Sequence, residues 1–211
     1  MVPDTNGLEL EAEALCSTAR WCYARGWVPA TSGNFSVRDT ATDRMLISPR
    51  GLDKGLMATA DLLETDLDGC VVNSTRRPSA ETAFHVVIYR LRPEANAILH
   101  VHSIWNTLVS ARFEELGYVP LEGYELLKGL SGVSTHEHRE LVPVLENSQD
   151  YGGLSQKIEE SLRVFGEAHG LLLSRHGLYT WGKSVAEARR HLEALEFLFE
   201  AEGRRLVSDV Q

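Results

Sequence analysis

Residues 97–103 read AILHVHS and set two imidazoles, His100 and His102, one residue apart inside an apolar run. Successive side chains of a strand point to opposite faces. Read as a strand, the run puts Ala97, Leu99 and Val101 on one face. Ile98, His100 and His102 fall on the other, with the two rings about 7 Å apart along the chain. Two neutral imidazoles on one face suit a metal ion held between them. A third protein ligand would leave one coordination position open, as in a catalytic metal site. The competing reading is two satisfied polar residues at a strand end, and spacing alone weighs the two evenly. The third ligand should come from the end of another element. His176 in LLLSRHGLYTW fits best, because it closes an apolar strand and precedes a glycine, where backbone can approach a ligand closely.

Other histidines compete. His136 and His138 repeat the spacing, but STHEHRE is polar and lacks alternation, so it reads as a solvated loop. His85 lies beside an apolar helix face, His169 precedes a strand and His191 sits within a long helix; each reads as structural. Proton transfer beside a metal calls for a carboxylate. Glu81 in PSAETAF stands at a helix start, where it either serves as a base or only complements the helix dipole. Glu125 in GYELLKG is the second candidate, with an exposed helical charge as its plain alternative. Three segments could hold an oxyanion: Ser32-Gly33-Asn34, Ser48-Pro49-Arg50-Gly51, and Ser79 at a helix N-terminus. Each alone is a generic turn. Beside a metal site they suggest a phosphorylated small molecule.

These residues need a scaffold. Residues 8–26 favour helix, with Leu15, Ala19 and Cys22 on one face and Gly26 as the stop. TSGNFSV is a glycine turn leading into a strand, and RMLIS (44–48) is a second strand. LLETDL and CVV flank Asp68-Gly69 as a hairpin. Phe84, Val87, Ile88 and Leu91 mark a buried helix stripe that stops before Pro93. Ser103 caps a helix over about 104–113. ELVPVLE and GLLLS read as strands around a helix bearing Leu154, Ile158, Leu162 and Phe165. LYTW is a strand, and Ser184 to Glu187 form a capping box that opens the last helix. The result is a mixed sheet covered by helices on both faces.

The chain has 211 residues, 43% of them hydrophobic, enough for one domain spanning 1–211. Its formal net charge of −9 argues against nucleic acid or an anionic membrane as the main partner. No apolar run approaches the roughly 20 residues of a membrane span. MVPDTNGLELEAE is acidic and lacks a signal pattern. Cys16, Cys22 and Cys70 have no C-x-x-C spacing and read as reduced thiols of a cytoplasmic protein.

TSGNFSV, SPRG, PSAE, HVHS and RHG, in this order, resemble the class II (zinc-dependent) aldolase family over nearly the whole chain, roughly residues 8–205. The resemblance implies a class II aldolase-like three-layer α/β/α sandwich with a central mixed, largely antiparallel sheet, assembled as a homotetramer with sites near subunit interfaces. It implies one Zn²⁺ per subunit on His100, His102 and His176. It implies a phosphate cradle at Ser32, Gly33, Asn34, Ser48, Gly51 and Ser79. Arg50 departs from the small hydroxyl residue frequent there. Glu81 matches the acid/base glutamate of the aldolases and Glu125 the one proposed for dehydratase members. YELLKG, VPVLEN and SRHGLYTWG resemble those dehydratase members, which implies loss of water from a methylthio-bearing 1-phosphoketose in methionine salvage. An aldolase or 4-epimerase of another sugar phosphate is the alternative. A non-catalytic relative such as the adducin head would lack the three histidines.

Overall fold

The computed structural model describes residues 5–39, 42–72 and 74–208; the extreme N-terminus, residues 1–4, lies outside them. Eight strands form one sheet: β1 (Asn34–Asp39), β2 (Arg44–Ile47), β3 (Leu63–Asp66), β4 (Ala97–Val101), β5 (Tyr118–Glu122), β6 (Arg139–Leu145), β7 (Gly170–Leu173) and β8 (Gly177–Gly182). Their order is β3-β2-β1-β4-β8-β7-β6-β5, and every neighbouring pair is antiparallel except β6 with β7.

The apolar pattern assigns the helices to faces. Ala97, Leu99 and Val101 pack with Leu15, Ala19 and Cys22 of α1 (Thr5–Ala24), Val109 of α3 (Ile104–Arg112), and Ala188, Leu192, Leu195 and Phe199 of α5 (Val185–Ser208). Ile98 packs on the opposite face with Phe84 and Ile88 of α2 (Thr82–Leu91) and Leu154, Ile158 and Leu162 of α4 (Tyr151–Val164). The alternation expected of AILHVHS is therefore the partition between two cores.

Several termini follow from local chemistry. Gly26, at φ +73°, follows α1 in a conformation that costs glycine little. Ser103 Oγ accepts from Asn106 N–H and caps α3. Ser184 Oγ accepts from Glu187 N–H, but the returning Glu187 carboxylate accepts from Lys183 N–H, one residue earlier than a capping box requires. The hairpin after β3 shrinks: Asp66 N–H donates to the Cys70 carbonyl, and CVV contributes one bridge, Val71 with Thr65. Sequence reasoning missed β5, because Pro120 sits within YVPLE. The strand lies at the sheet edge, where a missing N–H is tolerated.

Candidate active site

The site forms where three adjacent strands meet. β4 ends at His100 and Val101, β1 begins opposite with Asn34 paired to His100, and β8 begins just after His176. Gly177 permits this junction: a Cβ there would collide with the Val101 carbonyl and crowd both histidine rings of β4. The glycine after His176 thus serves the approach of one strand to the next. Arg175, just before it, holds a positive φ of 55°.

One nitrogen from each of His100, His102 and His176 lies within 4.8 Å of the others. His102 has left the strand, and its Nε2 approaches His100 Nε2 to 2.8 Å, far closer than an ideal extended strand would bring the rings. The partners behind the rings fix their protons. His100 Nδ1–H donates to the Leu178 carbonyl at 3.0 Å, and His176 Nδ1–H donates to Asn147 Oδ1 at 3.2 Å. Burial drives the His100 pKa well below 6.5, with the neighbouring His102 adding to the shift. Neutral His100 therefore presents a bare Nε2. Glu81 Oε1 lies 3.2 Å from His176 Nε2, and its Oε2 lies 3.5 Å from His100 Nε2. Three imidazoles and a carboxylate turn acceptor atoms toward one point, a donor set that fits a cation. His100 is further fixed by Tyr179, whose ring stacks on it at a centroid distance of 3.8 Å.

Glu81 stands directly before α2. Burial pushes its pKa up, but the adjacent His176 and His100 rings and the Asn34 bond together hold it below the usual carboxylate range. Asn34 Nδ2 donates to Glu81 Oε2 at 2.6 Å, and Asn34 Oδ1 meets His85 Nε2 at 2.5 Å. His85 Nδ1 in turn meets Ser36 Oγ at 2.7 Å. His85 is thus structural, as expected, but what it supports is the amide that holds the carboxylate. Sequence reasoning missed both Asn147 and His85 as supports. The only signal for Asn147 is its place at the end of VPVLEN.

The expected anion-binding segments come together. Pro49 bridges Pro78, which brings Ser48–Gly51 beside Ser79. Among the described residues the buried Ser32 hydroxyl has no partner, which leaves it a donor for a ligand. Gly33, at φ +73°, lies so close to the His100 carbonyl that a Cβ would clash. Ser48 is fully buried and its Oγ accepts from Phe35 N–H, so it also ties β1 to the segment after β2. Ser79 Oγ accepts from Glu81 N–H. Gly51 makes the turn at φ +74°, and the Arg50 side chain is exposed.

Glu125 stands apart. It opens a short 3-10 turn after β5, its side chain is 72% exposed, and it pairs with Lys128 and, at 4.0 Å, with His136. The Lys128 bond outweighs slight desolvation and lowers its pKa. The STHEHRE loop is a partial correction: His138 Nε2 lies 3.0 Å from the buried Glu140, so that histidine is anchored rather than solvated. A residue absent from the expected set is Lys54, whose side chain is buried against the cradle loops.

A layered α/β sheet that brings three imidazoles and a carboxylate together beside serine- and glycine-containing turns defines an enzyme-like site whose donor set suits a metal ion. The chain matches the Class II Aldolase and Adducin N-terminal domain over residues 13–202, and it belongs to that family. Methylthioribulose-1-phosphate dehydratase of Cronobacter sakazakii is 46% identical over 93% of this chain and 96% of its own. The enzyme of the same name from Methylococcus capsulatus is 48% identical over 93% and 94%. The L-fuculose-1-phosphate aldolase of Thermus thermophilus superposes with a TM-score of 0.74, at 25% identity over 94% of this chain and 96% of that one.

Proposed function

We propose that this chain is a zinc-dependent hydro-lyase that dehydrates 5-methylthioribulose 1-phosphate to 2,3-diketo-5-methylthiopentyl 1-phosphate, a step of methionine salvage. The observation that carries the reaction class is the meeting of His100, His102, His176 and Glu81 beside the unpartnered Ser32 hydroxyl. The substrate rests on the two bacterial relatives, which are 46% and 48% identical over nine-tenths of the chain and are named for that reaction.

His100, His102 and His176 would hold one Zn²⁺ per chain, which when bound supplies Lewis-acid polarisation of substrate oxygens. Ser32, Gly33, Asn34, Ser48, Arg50, Gly51 and Ser79 receive the phosphate. Water loss requires removal of the C3 proton and departure of the C4 hydroxyl. Glu125 carries these proton transfers, with Glu81, ionised and held by Asn34, assisting or orienting. The exposure of Glu125 in the single chain fits delivery across a subunit interface of a homotetramer. A cytoplasmic setting fits the three free thiols and a phosphorylated metabolite. Among the described residues no helix is long and apolar enough to cross a membrane.

The test is product analysis with zinc-loaded protein. Loss of one water from the methylthio substrate, giving the diketone, is the expected result. Release of dihydroxyacetone phosphate and an aldehyde would transfer the assignment to an aldolase, which the same triad would serve. Mixing Glu125→Gln with His100→Ala subunits tests the interface: restored turnover supports shared sites, and none places both groups in one subunit.

A further inference from the structure

Lys54 is 1% exposed, and a buried ammonium is costly unless something compensates it. Its Nζ donates to the Thr31 carbonyl at 3.1 Å and to the Leu52 carbonyl at 2.9 Å. Thr31 directly precedes Ser32-Gly33-Asn34, and Leu52 directly follows Ser48–Gly51. One ammonium therefore joins the two loops that frame the cradle. The first of these loops is strained, with Ala30 at φ +51° and Thr31 at φ +64°, conformations that persist only when the surroundings fix them.

An ammonium has three N–H donors, and two are committed to neutral carbonyls. Among the described residues no carboxylate forms an ion pair with it. Asp53 and Glu81 act on its charge only through space, and Glu81 is already engaged by Asn34, His100 and His176. Burial lowers the Lys54 pKa to about 8, so the side chain is mostly charged at neutral pH. The cradle is thus built around a positive charge that its own protein acceptors leave uncompensated.

We infer that Lys54 is the charged clip of the phosphate cradle, fixing the spacing of its two loops and offering its third N–H and its charge to the substrate's phosphoryl group. This rests on the phosphate-binding reading of Ser32–Asn34 and Ser48–Gly51. It makes Lys54 a residue that binds and positions rather than one that moves the reacting protons.

The experiment compares wild type and Lys54→Met for KM, kcat, bound metal and inhibition by inorganic phosphate. The expected result is a rise of about 10- to 100-fold in both KM and the phosphate inhibition constant, with kcat changed less than about 3-fold and metal stoichiometry unchanged. That range corresponds to one lost charge-assisted contact. Lys54→Arg should recover part of the phosphate affinity, which a loss of mere packing would not predict. Unchanged phosphate inhibition in Lys54→Met overturns the inference. Should that variant not fold, ¹⁵Nζ NMR of lysine-labelled wild type decides: a Lys54 resonance that shifts on phosphate addition supports it, and one that does not move refutes it. Wild type that neither binds inorganic phosphate nor turns over the phosphorylated ketose would instead refute the underlying phosphate reading.

Discussion

The protein has two histidine clusters, and they solve opposite problems. At the end of β4, His100, His102 and His176 meet beside Glu81. On the β6 side of the sheet, His138, His169 and His191 meet around Glu140 and Ser131. In the second cluster every nitrogen with a described contact has a complementary partner. His169 presents Nδ1 to Glu140 and Nε2 to the Ser131 carbonyl, two acceptors, so it carries both protons. Accordingly its pKa lies above 6.5: burial opposes the charge, but the Glu140 bond and charge prevail. His191 does the reverse, donating Nδ1–H to the Trp181 carbonyl while Nε2 accepts from Ser131. In the first cluster the outer nitrogens of His100 and His176 are satisfied by Leu178 and Asn147, and the nitrogens of all three rings converge. Composition does not separate a metal centre from a structural knot. The direction of the unspent lone pairs does.

The largest effect that tests this contrast is His100→Ala. It should abolish stoichiometric zinc, read by elemental analysis, and lower turnover by about three orders of magnitude, the scale of losing the main electrostatic stabiliser of a reaction. His169→Ala should keep both metal and turnover. It leaves Glu140, which is 2% exposed, without its main partner, and should cost about 3 kcal/mol, lowering the melting temperature by about 6–12 °C. Full zinc in His100→Ala, or loss of zinc in His169→Ala, would collapse the distinction.

How far the two clusters could be read from sequence follows from the range over which each signal acts. The pairing of His100 with His102 is a period-two pattern within five residues, and His176 is marked by an apolar strand that ends in Arg-His-Gly. Both signals are local, and both were legible. Lys54 was not, because DKG reads as an ordinary polar turn. Its ammonium becomes informative only when the Thr31 and Leu52 carbonyls close over it. Likewise His85 looks like a core histidine until β1 brings Asn34 between it and Glu81. Glu125 shows the converse: its segment was conspicuous, yet in the single chain its side chain pairs with Lys128 and His136, away from the triad.

Asn147 sharpens the comparison at a smaller scale. It touches the His100–His102–His176 cluster from behind, through His176 Nδ1. Asn147→Ala should weaken zinc binding by about 10- to 100-fold, as loss of an outer hydrogen bond to a ligating histidine does, without removing the site. Competition with a chelator of known affinity measures it. Unchanged affinity would mean that strand geometry alone orients His176.

The smallest effect concerns acid. Burial holds the His191 pKa at about 4 in the folded chain, whereas the unfolded chain titrates near 6.5. Between those values the unfolded state binds a proton that the folded state does not, so stability falls as pH falls. The contribution approaches 1.4 kcal/mol per pH unit within that window and vanishes above it. Glu196, raised to about 7 by burial, acts in the opposite sense from about 4.5 to 7, because there the folded state holds the extra proton. The two offset each other in the wild-type curve, so total stability against pH is uninformative. The difference between His191→Gln and wild type removes the Glu196 contribution. Denaturant unfolding of both at pH 7.5, 6 and 5 should show His191→Gln closing its stability gap as pH falls, by about 2 kcal/mol at pH 5. A constant gap would mean that His191 is protonated when folded. The second cluster would then hold two imidazolium rings at a centroid distance of 5.0 Å, and its assignment as the satisfied counterpart of the metal site would fail.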